Sequence, residues 1–294
     1  MVDGTFALAA MGLVAATVTG ALGYGFSSLT VPVALLYFAA RVLNPALVIV
    51  EVAVNLYALF LNRASLRRVW PRVSALVLGL LPGVGIGAVL LARINPASMK
   101  LGTFLVLLPL ILVQAAGLRW PIRREQAAGL PVGVGIGVFY ATTTISGPPL
   151  ALFLNNQGLA KGDFKAALAI ARTAESLLTV VAYAYLGLFS ATTASLLGWV
   201  APSVLVGMPL GHWLIRRIDP ETFRRVCMSF DAWVVAFALS RLLDGPVALV
   251  LPGAAVAIDL VLLRSFFAAR HKDRRPGAAE AAPPGLPADA QPLK

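Results

Sequence analysis

Two short runs of hydroxyl side chains supply the residue types from which a cradle for a small anion can be built. Ser27, Ser28 and Thr30 lead up to Pro32; Thr142, Thr143, Thr144 and Ser146 lead up to Gly147 and the pair Pro148-Pro149. Proline lacks an N–H and crowds the preceding turn, so a straight helix through either run is disfavoured. A half-helix that restarts after a break presents unpaired N–H groups and the positive end of its dipole, which suit an anion. Hydroxyls add donors without a fixed charge that would hold a solute too tightly to release. The competing use of the same Ser and Thr side chains is to bond back to their own helix.

Arg172, Glu175 and Glu51 are the charged residues that fall deep inside apolar runs. A charge at the centre of a membrane helix costs about 2.5–3.5 kcal/mol on insertion scales, so such residues mark function by default. Arg172 and Glu175 are one helical turn apart and can pair as structural glue. In the sharper reading Arg172 attracts an anionic substrate while Glu51 or Glu175 takes up and releases a proton. A carboxylate held away from water accepts a proton more readily than one in water. Asn55, one turn beyond Glu51, is a neighbouring donor. Asp231, Asp259 and His212 stand alone; Asp231 follows Arg224-Arg225 closely enough to pair with them, and His212 lies near Arg216. Cys227 is the only cysteine. No His/Cys/Asp grouping has metal-ligand spacing and no nucleophile–base set is present, so the sequence points to no catalytic residue, metal or cofactor.

The elements that must position these residues are apolar. The chain of 294 residues is 59% hydrophobic and 13% charged, with mean hydropathy +0.84. A soluble domain is about one quarter charged, so the composition implies an all-α polytopic membrane protein with the lipid bilayer as its partner. Residues 5–40 and 127–156 are long apolar stretches interrupted by the two hydroxyl runs. Full helices are expected at 44–62, 72–92, 98–118, 164–187, 193–215, 221–241 and 246–267. From Arg270 onward the Lys, Arg, Ala, Pro and Gly composition reads as a disordered tail. The net charge of +11 sits in short loops and in this tail, which orients a membrane protein and argues against nucleic-acid binding. The start, Met1-Val2-Asp3-Gly4, lacks a basic leader. Gly83-Val84-Gly85-Ile86-Gly87, Gly133-Val134-Gly135-Ile136-Gly137, and Gly207 with Gly211, are small-residue faces for close helix packing, not nucleotide loops.

The halves repeat. A shift of 117 sets Pro32 on Pro149, Gly20 on Gly137 and Gly12 on Gly129. A shift of 124 sets Gly83, Gly87, Leu90 and Arg93-Ile94-Asn95-Pro96 on Gly207, Gly211, Leu214 and Arg217-Ile218-Asp219-Pro220, and also sets Glu51 on Glu175. Arg172 falls on Val48, so its role is confined to the second copy. If each broken stretch is a re-entrant hairpin followed by three crossings, one face receives Arg63, Arg67, Arg68, Arg72, Arg119, Arg123, Arg124, Lys161, Lys165, Arg216, Arg217, Arg224, Arg225 and the tail. The other face receives Arg41, Arg93, Lys100 and Arg241. The positive-inside rule selects this arrangement. It is an inverted repeat: a first unit at 1–118, a cytoplasmic linker at 119–126, a second unit at 127–242, and one extra C-terminal crossing at 243–269. The tail at 270–294 is then cytoplasmic and the N-terminus outside. Inverted repeats with broken helices are the architecture of secondary transporters.

The two breaks, GYGFSSLTVP at 23–32 and FYATTTISGPPLALFLNNQG at 139–158, resemble the paired signatures of the TauE/SafE sulfite exporter family, also called the 4-toluenesulfonate uptake permease family. The similarity covers most of residues 6–265. Many members carry a first break of the type D-x3-G-G-G-G followed by Pro; Gly-Tyr-Gly-Phe-Ser-Ser stands there in this chain, as in a divergent branch. The resemblance implies transport of sulfite, organosulfonates or related sulfur or carboxylate anions across the bacterial inner membrane. The expected function is export of a small anion coupled to protons. The alternatives are a cation/proton exchanger using Glu51 and Glu175, an intramembrane enzyme, or a non-transporting assembly partner; self-association as a homo-oligomer stays open.

Overall fold

The computed structural model describes residues 2–23, 25–116, 125–155 and 157–273, and every regular element among them is helical. Tyr24, Asn156, Arg119, Arg123, Arg124 and the linker up to residue 124 lie outside the described residues, as does the tail from residue 274. Eleven α-helices follow in order: α1 (Val2–Leu22), α2 (Phe26–Ala34), α3 (Ala40–Leu61), α4 (Leu66–Arg93), α5 (Pro96–Ala115), α6 (Glu125–Thr143), α7 (Gly147–Asn155), α8 (Lys161–Tyr185), α9 (Ala191–Leu214), α10 (Pro220–Ser240) and α11 (Val247–Asp273). The protein is an all-α polytopic membrane protein. Large apolar side chains such as Val181, Tyr185, Leu205, Leu249 and Val261 face outward, where lipid and not water is their natural solvent.

Both long apolar stretches are broken. The first break is set by Gly23 and Gly25, whose φ of +84° and +111° lie in the left-handed region that glycine adopts without steric cost. Pro32 is not at that break; it sits inside α2. The second break comprises residues 144–146, and Pro148-Pro149 open α7, where a missing N–H costs no helical bond. After the first break the chain turns back: Tyr37 and Phe38 stand against Gly4 at the start of α1. The two legs are unequal. At about 1.5 Å per residue α1 is long enough to cross a bilayer by itself, whereas α2 covers less than half of one.

Among the described residues, seven helices are long and apolar enough to cross a membrane: Gly4–Leu22, Ala40–Leu61, Arg63–Arg93, Pro96–Val113, Gly162–Tyr185, Ala191–Leu214 and Val247–Ala268. This differs from the expected seven, which included 221–241 and omitted α1. The physical reason is that α10 carries charges along its length, and two of them are turned into the bundle: Arg225 and Asp231 are buried. Arg225 therefore belongs to the interior and not to the basic face. The helix α11 runs on to Asp273, past the point where the composition suggested a disordered tail.

The packing partners obey the two sequence shifts. The closest pairs are α1 on α9 and α4 on α6; α3 packs on α9 as α8 packs on α4, and α2 on α10 as α7 on α5. At the centre α3 packs on α8. Residue-level contacts agree. A Cβ on Gly20 would fall on the Met208 backbone, and one on Gly137 would fall 2.9 Å from the Val84 nitrogen; Gly20 and Gly137 differ by 117, Val84 and Met208 by 124. The repeated Arg-Ile-x-Pro stretch is the turn between α4 and α5 and between α9 and α10. In each, Pro opens the next helix, and the preceding side chain accepts a backbone N–H: Asn95 from Ala97 at 2.8 Å, Asp219 from Thr222 at 2.7 Å.

These contacts predict the effect of adding one methyl group. Gly20→Ala and Gly137→Ala force backbones apart at a cost of about 1–3 kcal/mol. Gly85→Ala and Gly135→Ala, where nothing lies within 4 Å, gain the helix preference of alanine, about 1 kcal/mol. Thermal unfolding of the purified protein in detergent should fall for the first two and hold or rise for the second two.

Candidate functional site

Glu51 lies at the middle of α3 and is fully buried, at 0% exposure, with Arg172 of α8 at 3%. Three donors converge on its carboxylate. The Ser27 hydroxyl donates to Oε1 at 2.7 Å, Tyr140 to Oε2 at 2.5 Å, and Arg172 Nη2 to Oε1 at 3.0 Å. Ser27 belongs to α2 and Tyr140 to the last turn of α6, so both broken stretches meet on one carboxylate. Arg172 Nη1 also reaches the Gly23 carbonyl in the first break, at 3.5 Å. Its Nε–H is buried and has no hydrogen-bond partner among the described residues. On the other copy, Glu175 accepts the Ser146 hydroxyl, and its Oε2 is unpartnered.

Arg172 thus pairs across the helix interface with Glu51 and not within its own helix with Glu175. Asn55 does not reach Glu51. Its Nδ2 donates to the Arg172 carbonyl at 3.1 Å and to Ser176 Oγ at 3.3 Å, while Thr173 donates to the Asn55 carbonyl at 3.2 Å. These bonds fix the register of α3 against α8, and with it the Arg172–Glu51 distance.

The threonines close the end of α6. The last four carbonyls of a helix have no partner within it, and lipid offers none. Here all four are met: Tyr140 C=O by Thr144 N–H at 2.6 Å, Ala141 by the Tyr183 hydroxyl at 2.6 Å, Thr142 by Asn44 Nδ2 at 2.7 Å, and Thr143 by the Thr144 hydroxyl at 2.6 Å. Thr142 donates to the Val138 and Phe139 carbonyls, each at 2.9 Å, and Thr143 to Phe139 at 2.6 Å while accepting Ile145 N–H at 3.0 Å. Thr144 has φ +58°, a left-handed conformation that costs a β-branched residue about 1–3 kcal/mol and that the surrounding bonds hold in place. Ser28 donates to the Gly25 carbonyl at 3.1 Å, and Thr30 is buried with its hydroxyl unpartnered. The side-chain donors left near the breaks are therefore the Thr30 hydroxyl and the Nε–H of Arg172, beside the N–H groups that a helix start leaves unpaired. Pro148 and Pro149 contribute none.

Five residues of this network were not singled out from the sequence, Thr173 and Ser176 of α8 among them. Tyr140 lies one turn before Thr144 and could be read as a hydroxyl-bearing aromatic on the face entering the break. Asn44 and Tyr183 carried no signal, because the carbonyls they meet come from another helix. Two acids read as isolated also have surroundings: Asp259 of α11 pairs with Arg225 at 3.1 Å and accepts Trp233 Nε1–H at 3.1 Å, so Asp231 is not the partner of Arg225. His212 is exposed, 3.0 Å from Arg216 Nη2.

Removing one member of a buried ion pair leaves the other charge uncompensated, which costs about 3–5 kcal/mol, more than the pair itself contributes. Glu51→Gln and Arg172→Gln should each lower thermal stability in detergent strongly. The double variant should recover most of the loss, giving a large coupling energy in a double-mutant cycle. Additive losses would show that the two side chains do not act as a pair.

No curated protein and no solved structure matches the chain. A family model does: the one described as "Sulfite exporter TauE/SafE" matches residues 8–238, from the first turns of α1 to the end of α10. That span holds both breaks and the whole Glu51–Arg172–Glu175 network. Matched over most of its length, the chain belongs to the TauE/SafE sulfite exporter family.

Proposed function

We propose that this multi-pass membrane protein is a secondary transporter that exports a small anion, such as sulfite or an organosulfonate, across the bacterial inner membrane, coupled to protons. A single observation carries the reading: Arg172, a buried cation between the two breaks, is held by the Glu51 carboxylate and keeps one N–H unspent. Glu51 occupies the place an anionic substrate would take. A proton added to Glu51 removes the charge that holds Arg172, and the guanidinium can then turn to the solute with the N–H groups of α2 and Gly147. Ser27, Ser28, Thr30, Thr142, Thr143, Thr144, Ser146 and Gly147 line this route. Ser146 and Glu175 form the corresponding pair in the second copy, and Pro148-Pro149 and Pro32 shape the two half-helices.

The exchange of packing partners under the shifts of 117 and 124 supports two repeated units, residues 1–118 and 127–242, and the uneven spread of Arg and Lys supports opposite orientation, with the N-terminus outside and the C-terminus in the cytoplasm. In this scheme an anion leaves with one proton. For a divalent anion one negative charge still moves outward, and an inside-negative potential drives it by about 2.3 kcal/mol per 100 mV. A second reading has a specific observation in its favour. Because Arg172 already has a partner inside the protein, it could be a fixed counter-ion in a cation/proton exchanger run by Glu51 and Glu175.

Proteoliposomes loaded with labelled sulfite or a sulfonate separate the two. Acidifying the compartment that holds the anion should speed its exit, because protonation of Glu51 frees Arg172. Arg172→Ala should abolish anion flux, whereas Glu51→Gln should keep flux and lose its dependence on pH. Proton-driven cation flux that survives Arg172→Ala and is lost in Glu51→Gln would select the exchanger.

A further inference from the structure

A second buried carboxylate, on α10, borders the first break. Asp231 lies at the middle of α10 and is 8% exposed, and its Oδ1 has no hydrogen-bond partner among the described residues. It borders a cavity of about 20 Å³, room for about one water, lined by Gly25, Ser28 and Leu29 of the first break and by Pro148 of the second. The Ser28 hydroxyl neighbours the carboxyl group. The cavity is otherwise apolar, with Val18, Leu22, Ile111 and Met228 in its wall. Such a wall lacks the oxygen ligands a sodium or calcium ion needs, and the space is too small for a hydrated cation. What fits beside an unpaired carboxylate oxygen there is a water that delivers or removes a proton.

We propose that Asp231 is a proton-binding site of the transport cycle, charged when the α2 N-terminus is closed to the anion and neutral when it is open. As a carboxylate beside Gly25 and Ser28, Asp231 complements the positive end of α2 and repels a second anion. A proton passed from the cavity water forms an O–H bond at Oδ1 and removes that repulsion; its return to water restores the carboxylate. Among the described residues no other charged side chain lines this cavity. On α10 itself Arg225 is engaged with Asp259 of α11, and Cys227 is the neighbouring thiol. The charged side chain of α5 is Lys100, about 16 Å along that helix from Ile111. No residue of α2 or α7 is charged, and the one charged residue of α1, Asp3, lies at its far end.

The inference rests on the anion-transport reading, and the test separates the two. Infrared spectra of the purified full-length protein across the neutral pH range should show a protonated carboxylic acid band that Asp231→Asn removes, Asp231→Glu restores at a shifted midpoint, and Cys227→Ser leaves in place. In proteoliposomes Asp231→Asn should keep sulfite flux at equal pH but lose the acceleration by an imposed pH gradient. An unchanged infrared titration in Asp231→Asn overturns the proposal, as does a gradient response equal to that of the unaltered protein. If the unaltered protein moves neither sulfite nor a sulfonate while the band still depends on Asp231, the transport reading fails and the proton site stands. Should Asp231→Asn not fold, Asp231→Glu and Ser28→Ala must each displace the band's midpoint; an unmoved midpoint in both overturns the proposal.

Discussion

At bilayer depth every backbone polar group and every charge must find its partner inside the protein, because lipid supplies none. A broken helix violates this rule unless other elements repair it, and the repair organises the centre of this molecule. The α6 carbonyls are met by Thr144 itself, by Asn44 from the first turn of α3 and by Tyr183 from the far end of α8. Those helices are thereby drawn around the break. The same two helices supply Glu51, Arg172 and Glu175. Repair of the backbone and assembly of the charged network are thus one packing problem with one solution.

The glycine-lined pairs make that solution available. With α1 against α9 and α4 against α6 at backbone contact, the first leg of each broken stretch is clamped to a long helix of the other half. Each break is therefore positioned by the opposite copy and not by its own. This interlacing brings Ser27 from one half and Tyr140 from the other onto the same carboxylate.

Much of this was legible in the residues. Pro148-Pro149 and the paired glycines of 23–25 signal breaks because their backbone chemistry is local. Glu51 and Glu175 stand out because a charge in an apolar run is conspicuous whatever surrounds it. Most helix ends came within four residues because Arg-rich loops and Pro-opened turns mark them, but α4 starts and α11 ends six residues beyond the expected bounds. Partner choice was not legible. Arg172 has Glu175 one turn away in sequence, yet Asn55 and Thr173 set α3 against α8 in a register that presents Glu51 instead. Asp231 and Arg225 lie six residues apart on one helix and look like a local pair, until α11 brings Asp259 to Arg225. Hydroxyl runs carry the same ambiguity. Thr142, Thr143 and Thr144 read equally well as ligand donors or as backbone caps, and only the position of the unmet carbonyls decides.

The two copies are not equivalent, and their differences fall on one side. In the first break the α2 start offers the N–H groups of Phe26, Ser27 and Ser28, and Arg172 reaches over to the Gly23 carbonyl. In the second break prolines occupy two of the first positions of α7, so that half-helix has fewer donors to give, and the counterpart of Arg172 in the first copy is Val48. The α2 side therefore has more N–H donors than the α7 side. Among the described residues, the buried carboxylates Glu51 and Asp231 adjoin Ser27 and Ser28 of α2, and Glu175 and Asp259 are engaged with Ser146 and Arg225. The two breaks therefore differ in chemistry: the first has the N–H groups of the α2 start with Arg172 beside it, and the second has its prolines and the left-handed Thr144.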